Sequence, residues 1–227
     1  MPVKGFFVNT LVIMKNILLA DDHAIIRTGL KIYIETIIPF SIIEEASNGD
    51  IAFEKIKKKD YDLLILDVNM PGTDSFGLIS NIMAVKPNSK ILMISMNAEE
   101  IYAKKYLRLG AKGYISKDAP EDEIKAAIDT VLNNKRYISL SLSQALAEEA
   151  LGNKTPNPFD SLSPQEFKII QFLIRGESVS EISQKLNLHT STIGTHKARI
   201  FKKLNCKNIV SLNELAKIYH VIQPGSL

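Results

Sequence analysis

Leu63-Leu64-Ile65-Leu66-Asp67-Val68-Asn69-Met70-Pro71-Gly72 is the stretch that decides how this chain folds. Four consecutive apolar residues lead straight into a carboxylate, and a Pro-Gly pair follows. A strand buried on both faces reads as such a run, because neither face meets water and no polar alternation is needed. Asp67 then falls at the carboxyl end of the strand, and Pro71-Gly72 supplies turn chemistry.

Similar apolar runs lie on either side. They are Ile17-Leu18-Leu19-Ala20, Ile42-Ile43, Ile91-Leu92-Met93-Ile94 and Gly113-Tyr114-Ile115. Between them, helical patterns occupy 24–35, 50–58, 75–83, 99–109 and 121–133. Strands alternating with helices predict an α/β fold, a five-stranded, doubly wound parallel sheet covered on both faces. Chemistry in such sheets sits outside the carboxyl ends of the strands. Asp21-Asp22 follow the first strand, Asp67 ends the third, Ser95 ends the fourth, and Lys117 lies just past the fifth. Carboxylates at close range repel one another and invite a hard divalent cation such as Mg²⁺. A lysine and a hydroxyl beside them can stabilise a phosphoryl group. A carboxylate that accepts such a group must be exposed yet desolvated, and Asp67 at a strand end is expected to be so. Singly these residues read more plainly, as turn, cap or surface positions. His23 adjoins the acidic pair without a second His or Cys at ligand spacing, which disfavours a zinc-type site.

Composition bounds the rest. With 227 residues and 45% hydrophobic content, the chain can build one large or two modest cores. A 23% charged fraction without low-complexity runs argues against disorder. The lone Cys206 excludes an internal disulfide framework, is expected to pack as a small apolar residue, and fits a reducing, cytoplasmic setting. No apolar run approaches the ~20 residues that span a bilayer. The stretch Phe6-Phe7-Val8-Asn9-Thr10-Leu11-Val12-Ile13 is apolar but lacks a small-residue cleavage site. Met14 is the expected natural start, and residues 1–14 are set apart as an N-terminal extension.

Charge is uneven. Residues 14–136 carry 17 Lys and Arg against 18 Asp and Glu, whereas 161–227 carry 9 against 4. A neutral module joined to a basic one suggests a nucleic-acid partner for the second. The domain plan is therefore 15–136, a linker over 137–160 with a possible helix at 140–151, and a second domain over 161–224. Ser163-Pro164-Gln165-Glu166 has the form of a helix start, with a Ser cap, Pro in the first position and Glu in the third. Four short helices, of which this is the first, form a small all-α unit containing a helix-turn-helix.

Asp21-Asp22-His23, Leu66 to Gly72 as quoted, Ser95 and Gly110-Ala111-Lys112-Gly113-Tyr114-Ile115-Ser116-Lys117 resemble the flavodoxin-like receiver domain of the NarL/FixJ response regulators. The resemblance covers nearly all of 15–136. It implies that Asp67 takes a phosphoryl group from a sensor histidine kinase. It implies that Asp22, Asp67 and the Asn69 backbone carbonyl hold Mg²⁺, with Asp21 helping to position it. It gives Lys117 the phosphoryl oxygens, and makes Ser95 and Tyr114 a switch. Family members commonly carry Gly where this chain has Asp74-Ser75, which leaves open a positive-φ position there.

Leu162 to Glu166, Gly176-Glu177-Ser178-Val179-Ser180-Glu181-Ile182, Leu186, Thr192-Ile193-Gly194-Thr195-His196-Lys197, Ile200 and Lys203-Leu204 resemble the LuxR-type helix-turn-helix. On a helix over 190–204, Ile193, Ile200 and Leu204 share one face, and His196 flanks it in a packing role. Ser191, Thr195, Ala198, Arg199 and Lys202 project the other way. Thr195 suits a base edge, Ala198 a thymine methyl and Arg199 a guanine. Lys197, Lys202 and Lys203, with Lys207, suit phosphates, and Thr192 belongs to the same motif. From Lys197 to Lys207 there are five positive residues and no acid. Gly194 replaces a common Lys, which predicts a different operator preference; Gln165, where Arg is frequent, is a smaller departure. The last helix carries Leu212, Leu215, Ala216 and Tyr219 at helical spacing, expected to be exposed; core packing is the plainer reading for part of this stripe, and the resemblance implies a dimer contact, as an active homodimer on two half-sites requires.

The whole reads as a transcription regulator bound to double-stranded promoter DNA, not an enzyme acting on other molecules. One rival is an aspartyl phosphohydrolase, but such enzymes place the nucleophile on the first strand and add a cap. Hydrolysis of a small phosphomonoester would favour it. A second is a DNA-binding or scaffold protein that ignores phosphorylation; unaltered output from Asp67→Asn would favour that.

Overall fold

The computed structural model describes residues 14–96, 99–153, 155–219 and 221. The expected N-terminal extension lies outside them except for Met14.

The sheet is parallel and five-stranded, in the order β2-β1-β3-β4-β5. Its strands are β1 (Lys15–Ala20), β2 (Ser41–Ala46), β3 (Leu63–Asp67), β4 (Ile91–Ser95) and β5 (Gly113–Ser116). Every residue of β3 and β4 is buried, as their unbroken apolar runs require. Five helices connect and cover the strands: α1 (Ala24–Ile37), α2 (Gly49–Lys58), α3 (Ser75–Val85), α4 (Glu99–Leu109) and α5 (Glu121–Leu132). The crossovers place α1 and α5 on one face, where Ile34, Ile124 and Ile128 share a core with Leu19, Ile65 and Ile94. The other face takes α2, α3 and α4 through Ile56, Ile79 and Tyr106.

Beyond the sheet, α6 (Leu140–Ala150) fills the helix foreseen within the linker. A single 3₁₀ turn (Pro158–Ser161) then leads into α7 (Pro164–Ile174), α8 (Val179–Leu186), α9 (Thr190–Lys203) and α10 (Ile209–Ile218). Local chemistry sets these ends. Ser163 and Glu166 form a reciprocal capping box with Pro164 in the first position, and Ser178 with Glu181 repeats the device. Asn187 takes φ 51° between α8 and α9, a left-handed turn that Asn tolerates better than most residues. That turn closes the helix-turn-helix. Ile193 and Ile200 are fully buried and Leu204 nearly so, as the helical phase of α9 predicts.

The apolar core does not stop at the sheet. Buried side chains run without a break from the α3–α4 layer through Phe159 into Phe167 and Ile170 of α7. The two units are thus packed together across α4.

Candidate functional site

Strand order builds the site. β1 and β3 are neighbours, with Ala20 opposite Leu66, so Asp21 and Asp67 emerge side by side. Asp67 lies opposite Ile94, which puts Ser95 one step further on the next strand. Ser95 pairs with Ser116, and Lys117 follows. The four positions therefore converge on the carboxyl rim where the sheet order reverses.

Lys117 Nζ lies 2.6 Å from Asp21 Oδ2 and 2.8 Å from Asp67 Oδ2. The Asn69 amide donates to Asp67 Oδ1 at 3.1 Å, and the His23 amide to Asp21 Oδ1 at 2.8 Å. His23 Nδ1 is 2.8 Å from Asp22 Oδ1. Donor atoms of Asp21, Asp22, His23 and Asp67 all fall within 4.8 Å of one another. Burial pushes the Asp67 carboxyl up, with the Lys117 hydrogen bond pulling the other way. Burial also opposes the charge on Lys117, but its bonds to Asp21 and Asp67 prevail and hold the ammonium above the usual lysine range. Three carboxylates against one ammonium leave an excess of two negative charges, with hard oxygen donors, which suits a divalent cation. Sequence reasoning expected Asp67 to be exposed. It is corrected here: the residue is only 1% exposed, because Lys117 and Asp21 close over it.

Arg27 is a supporting residue that the sequence reading missed. Its Nη1 donates to the Asp21 carbonyl at 2.7 Å and its Nε to Glu45 at 2.7 Å, fixing the loop that carries the acidic pair. The positive-φ question at Asp74-Ser75 resolves elsewhere. Asp74 has φ −84°, and the turn is made by Gly72 at φ 74°. Ser95 and Tyr114 are both buried, and the Tyr114 phenol is hydrogen-bonded to Ser95 while burial raises its pKa.

On α9, Ser191, Thr195, Ala198, Arg199 and Lys202 are exposed together, and Thr192, His196 and Lys197 are half-buried. Lys197 Nζ lies 5.6 Å from the Phe201 ring centroid. Lys203 departs from expectation. Its Nζ is held by Glu166 Oε2 at 2.6 Å and the Ser161 carbonyl at 3.1 Å, so it ties α9 to α7. A Cβ added at Gly194 would meet nothing within 4 Å. The stripe on α10 is also corrected. Leu212 and Ala216 are fully buried in their own unit, Leu215 is half-buried, and Tyr219 packs edge-on to Phe159. An amphipathic stripe does not say whether its own core or a partner covers it. The large apolar side chains that α10 exposes are Ile209, Val210 and Ile218, 37%, 61% and 69% accessible.

Comparisons with known proteins agree with this geometry. Residues 17–129 match the model of the response regulator receiver domain, and residues 160–216 that of the luxR family of bacterial regulatory proteins. The chain is 34% identical over 204 residues to the response regulator UvrY of Escherichia coli K12, covering 89% of this chain and 94% of the relative. It is a response regulator of the NarL/FixJ family. Oxygen regulatory protein NreC of Staphylococcus carnosus is 36% identical over 208 residues, covering 88% and 95%. Among solved structures, RcsB from Salmonella enterica serovar Typhimurium, bound to promoter P1flhDC in the presence of phosphomimetic BeF₃⁻, matches with a TM-score of 0.70. Identity there is 25%, over 88% of this chain and 97% of RcsB. This NarL/FixJ regulator is thus a two-component transcription regulator with a receiver and a LuxR-type DNA-binding domain.

Proposed function

We propose that phosphorylation of Asp67 by a sensor histidine kinase controls binding of promoter DNA by α9. The observation that carries this is the convergence of Asp67, Asp21 and Lys117, with oxygen–nitrogen distances of 2.6 and 2.8 Å at the rim where the sheet order reverses. In the transfer, the P–N bond to the donor imidazole breaks as a P–O bond to Asp67 forms, and the imidazole keeps the electron pair. The side chains of Asp22 and Asp67 and the Asn69 carbonyl would hold Mg²⁺, with Asp21 positioning it. That ion supplies charge neutralisation for the phosphoryl oxygens. Lys117 is placed to move from Asp67 onto those oxygens, and Ser95 with Tyr114 to register the change.

The receiver domain spans 15–136, the linker 137–160 and the DNA-binding domain 161–224. Ser191, Thr195, Ala198 and Arg199 address the major groove, with Thr192, Lys197 and Lys202 at its margin. Two half-sites call for a homodimer, for which α10 offers Val210 and Ile218. Such a regulator works in the cytoplasm, where promoter DNA is.

The test is capture of fragmented genomic double-stranded DNA by the full chain treated with acetyl phosphate and Mg²⁺. Discrete fragments are expected to be enriched, and Asp67→Asn to capture them about ten-fold less well, within the range of allosteric couplings. Equal enrichment by both proteins would overturn control through Asp67.

A further inference from the structure

Between α4 of the receiver, α6 of the linker and the end of α10, the fold leaves a cavity of about 630 Å³. Pockets for small organic ligands run from about 300 to about 1,000 Å³. Ile101 of α4, Leu142 and Ala145 of α6, and Tyr219 give this one an apolar wall. Ile101 and Leu142 are buried, and the Tyr219 ring packs edge-on to Phe159, so the wall is anchored in the cores behind it. The phosphorylation rim uses none of these residues.

The polar lining is one-sided in charge. Lys104, the cation that lines the cavity among the described residues, is already held by Glu149 Oε2 and Asp160 Oδ2, each at 2.6 Å. Burial opposes its charge, but those two bonds prevail and hold the ammonium above the usual lysine range. It is therefore not free to receive an anion. Glu99, which opens α4 and also lines the cavity, is incompletely satisfied. Its Oε2 accepts the Ser139 hydroxyl at 2.7 Å, whereas its Oε1 is buried and has no hydrogen-bond partner among the described residues. Burial pushes that carboxyl up, with the Ser139 hydrogen bond pulling the other way. Glu99, Glu149 and Asp160 set three carboxylates against one ammonium, an excess of two negative charges beside an apolar wall. A buried acceptor without a donor costs free energy, and a cationic N–H brought into the cavity removes that cost.

We infer that this cavity is a binding site for a small organic cation, a primary amine on an apolar body, whose ammonium donates to Glu99 Oε1 and whose apolar part lies against Ile101, Leu142 and Tyr219. An anion would meet the carboxylates, a neutral ligand would leave Glu99 without its charge partner, and a bare metal ion would leave the apolar wall unused. A ligand seated there touches the receiver, the linker and the DNA-binding domain at once. The site is independent of whether Asp67 accepts a phosphoryl group.

The experiment titrates the full chain, carrying labelled isoleucine and leucine methyl groups, with phenylbutylamine while methyl resonances are followed by NMR. Phenylbutanol, which keeps the apolar body without the charge, is titrated in parallel. The amine is expected to shift the Ile101 and Leu142 resonances and to bind about ten-fold more tightly than the alcohol, as a charged hydrogen bond confers. Glu99→Gln keeps the length of the side chain without its charge. It is expected to lower amine affinity about ten-fold and to leave that of the alcohol unchanged. Equal affinity of amine and alcohol in the wild type overturns the inference, and so does unchanged amine affinity in folded Glu99→Gln. Shifts confined to methyl groups away from the cavity, or none with either probe, overturn it as well. The wild-type comparison decides alone if Glu99→Gln does not fold.

Discussion

Lys203 shows how a cation on the helix proposed to read DNA can be engaged within the fold itself. Its partner Glu166 is buried, and closes the capping box of α7. Lys203→Ala is expected to destabilise the helical domain by about 1 kcal/mol, read as a lower denaturation midpoint, because a shielded carboxylate loses its partner. The salt dependence of DNA binding should stay as in wild type, whereas a lost phosphate contact would reduce its slope by about 0.9. From sequence, Lys203 was indistinguishable from Lys202, since both fall in one basic run. Asp21, Asp67 and Lys117 were legible because strand ends in a parallel sheet must share a rim. Arg27, Lys105 and Lys168 were not. Lys105 meets carbonyls 54 and 57 residues away, and nothing local marks such a partner.

At the scale of elements, capping chemistry and apolar phase carried most of the information. The Ser163 box starts α7 where the sequence places it, the Ser178 box starts α8 in the same way, and α4 runs over the expected 99–109. Strand β2 was underestimated, because Glu44 and Glu45 interrupt its apolar run while pairing with lysines and Arg27 at the sheet edge. Core packing holds for Leu212 and Ala216 on α10, and helical phase alone does not separate such positions from ones a partner would cover. Gly194 on α9 yields a sharper expectation. Its open surroundings admit a long side chain. Gly194→Lys should raise helix stability by up to about 1 kcal/mol. It should also steepen the salt dependence of operator binding by about 0.9, as one further phosphate is met. Isothermal binding titrations at several salt concentrations check this; an unchanged slope would place residue 194 away from the phosphate backbone.

For the whole molecule, the two-domain plan was legible from the break in pattern after residue 136 and from the charge asymmetry. The docking of one domain on the other was not. It depends on ring contacts and ion pairs between residues such as Asp74 and Lys168, each of which reads alone as a surface charge. That docking places the DNA-binding domain against α3 and α4 of the receiver. The control proposed for promoter binding depends on Asp67 being the acceptor. The direct test is uptake of phosphoryl label from acetyl phosphate with Mg²⁺ by folded wild type and Asp67→Asn. Stoichiometric label in the wild type alone is the predicted result. Equal label in both proteins, or none in either, would contradict it.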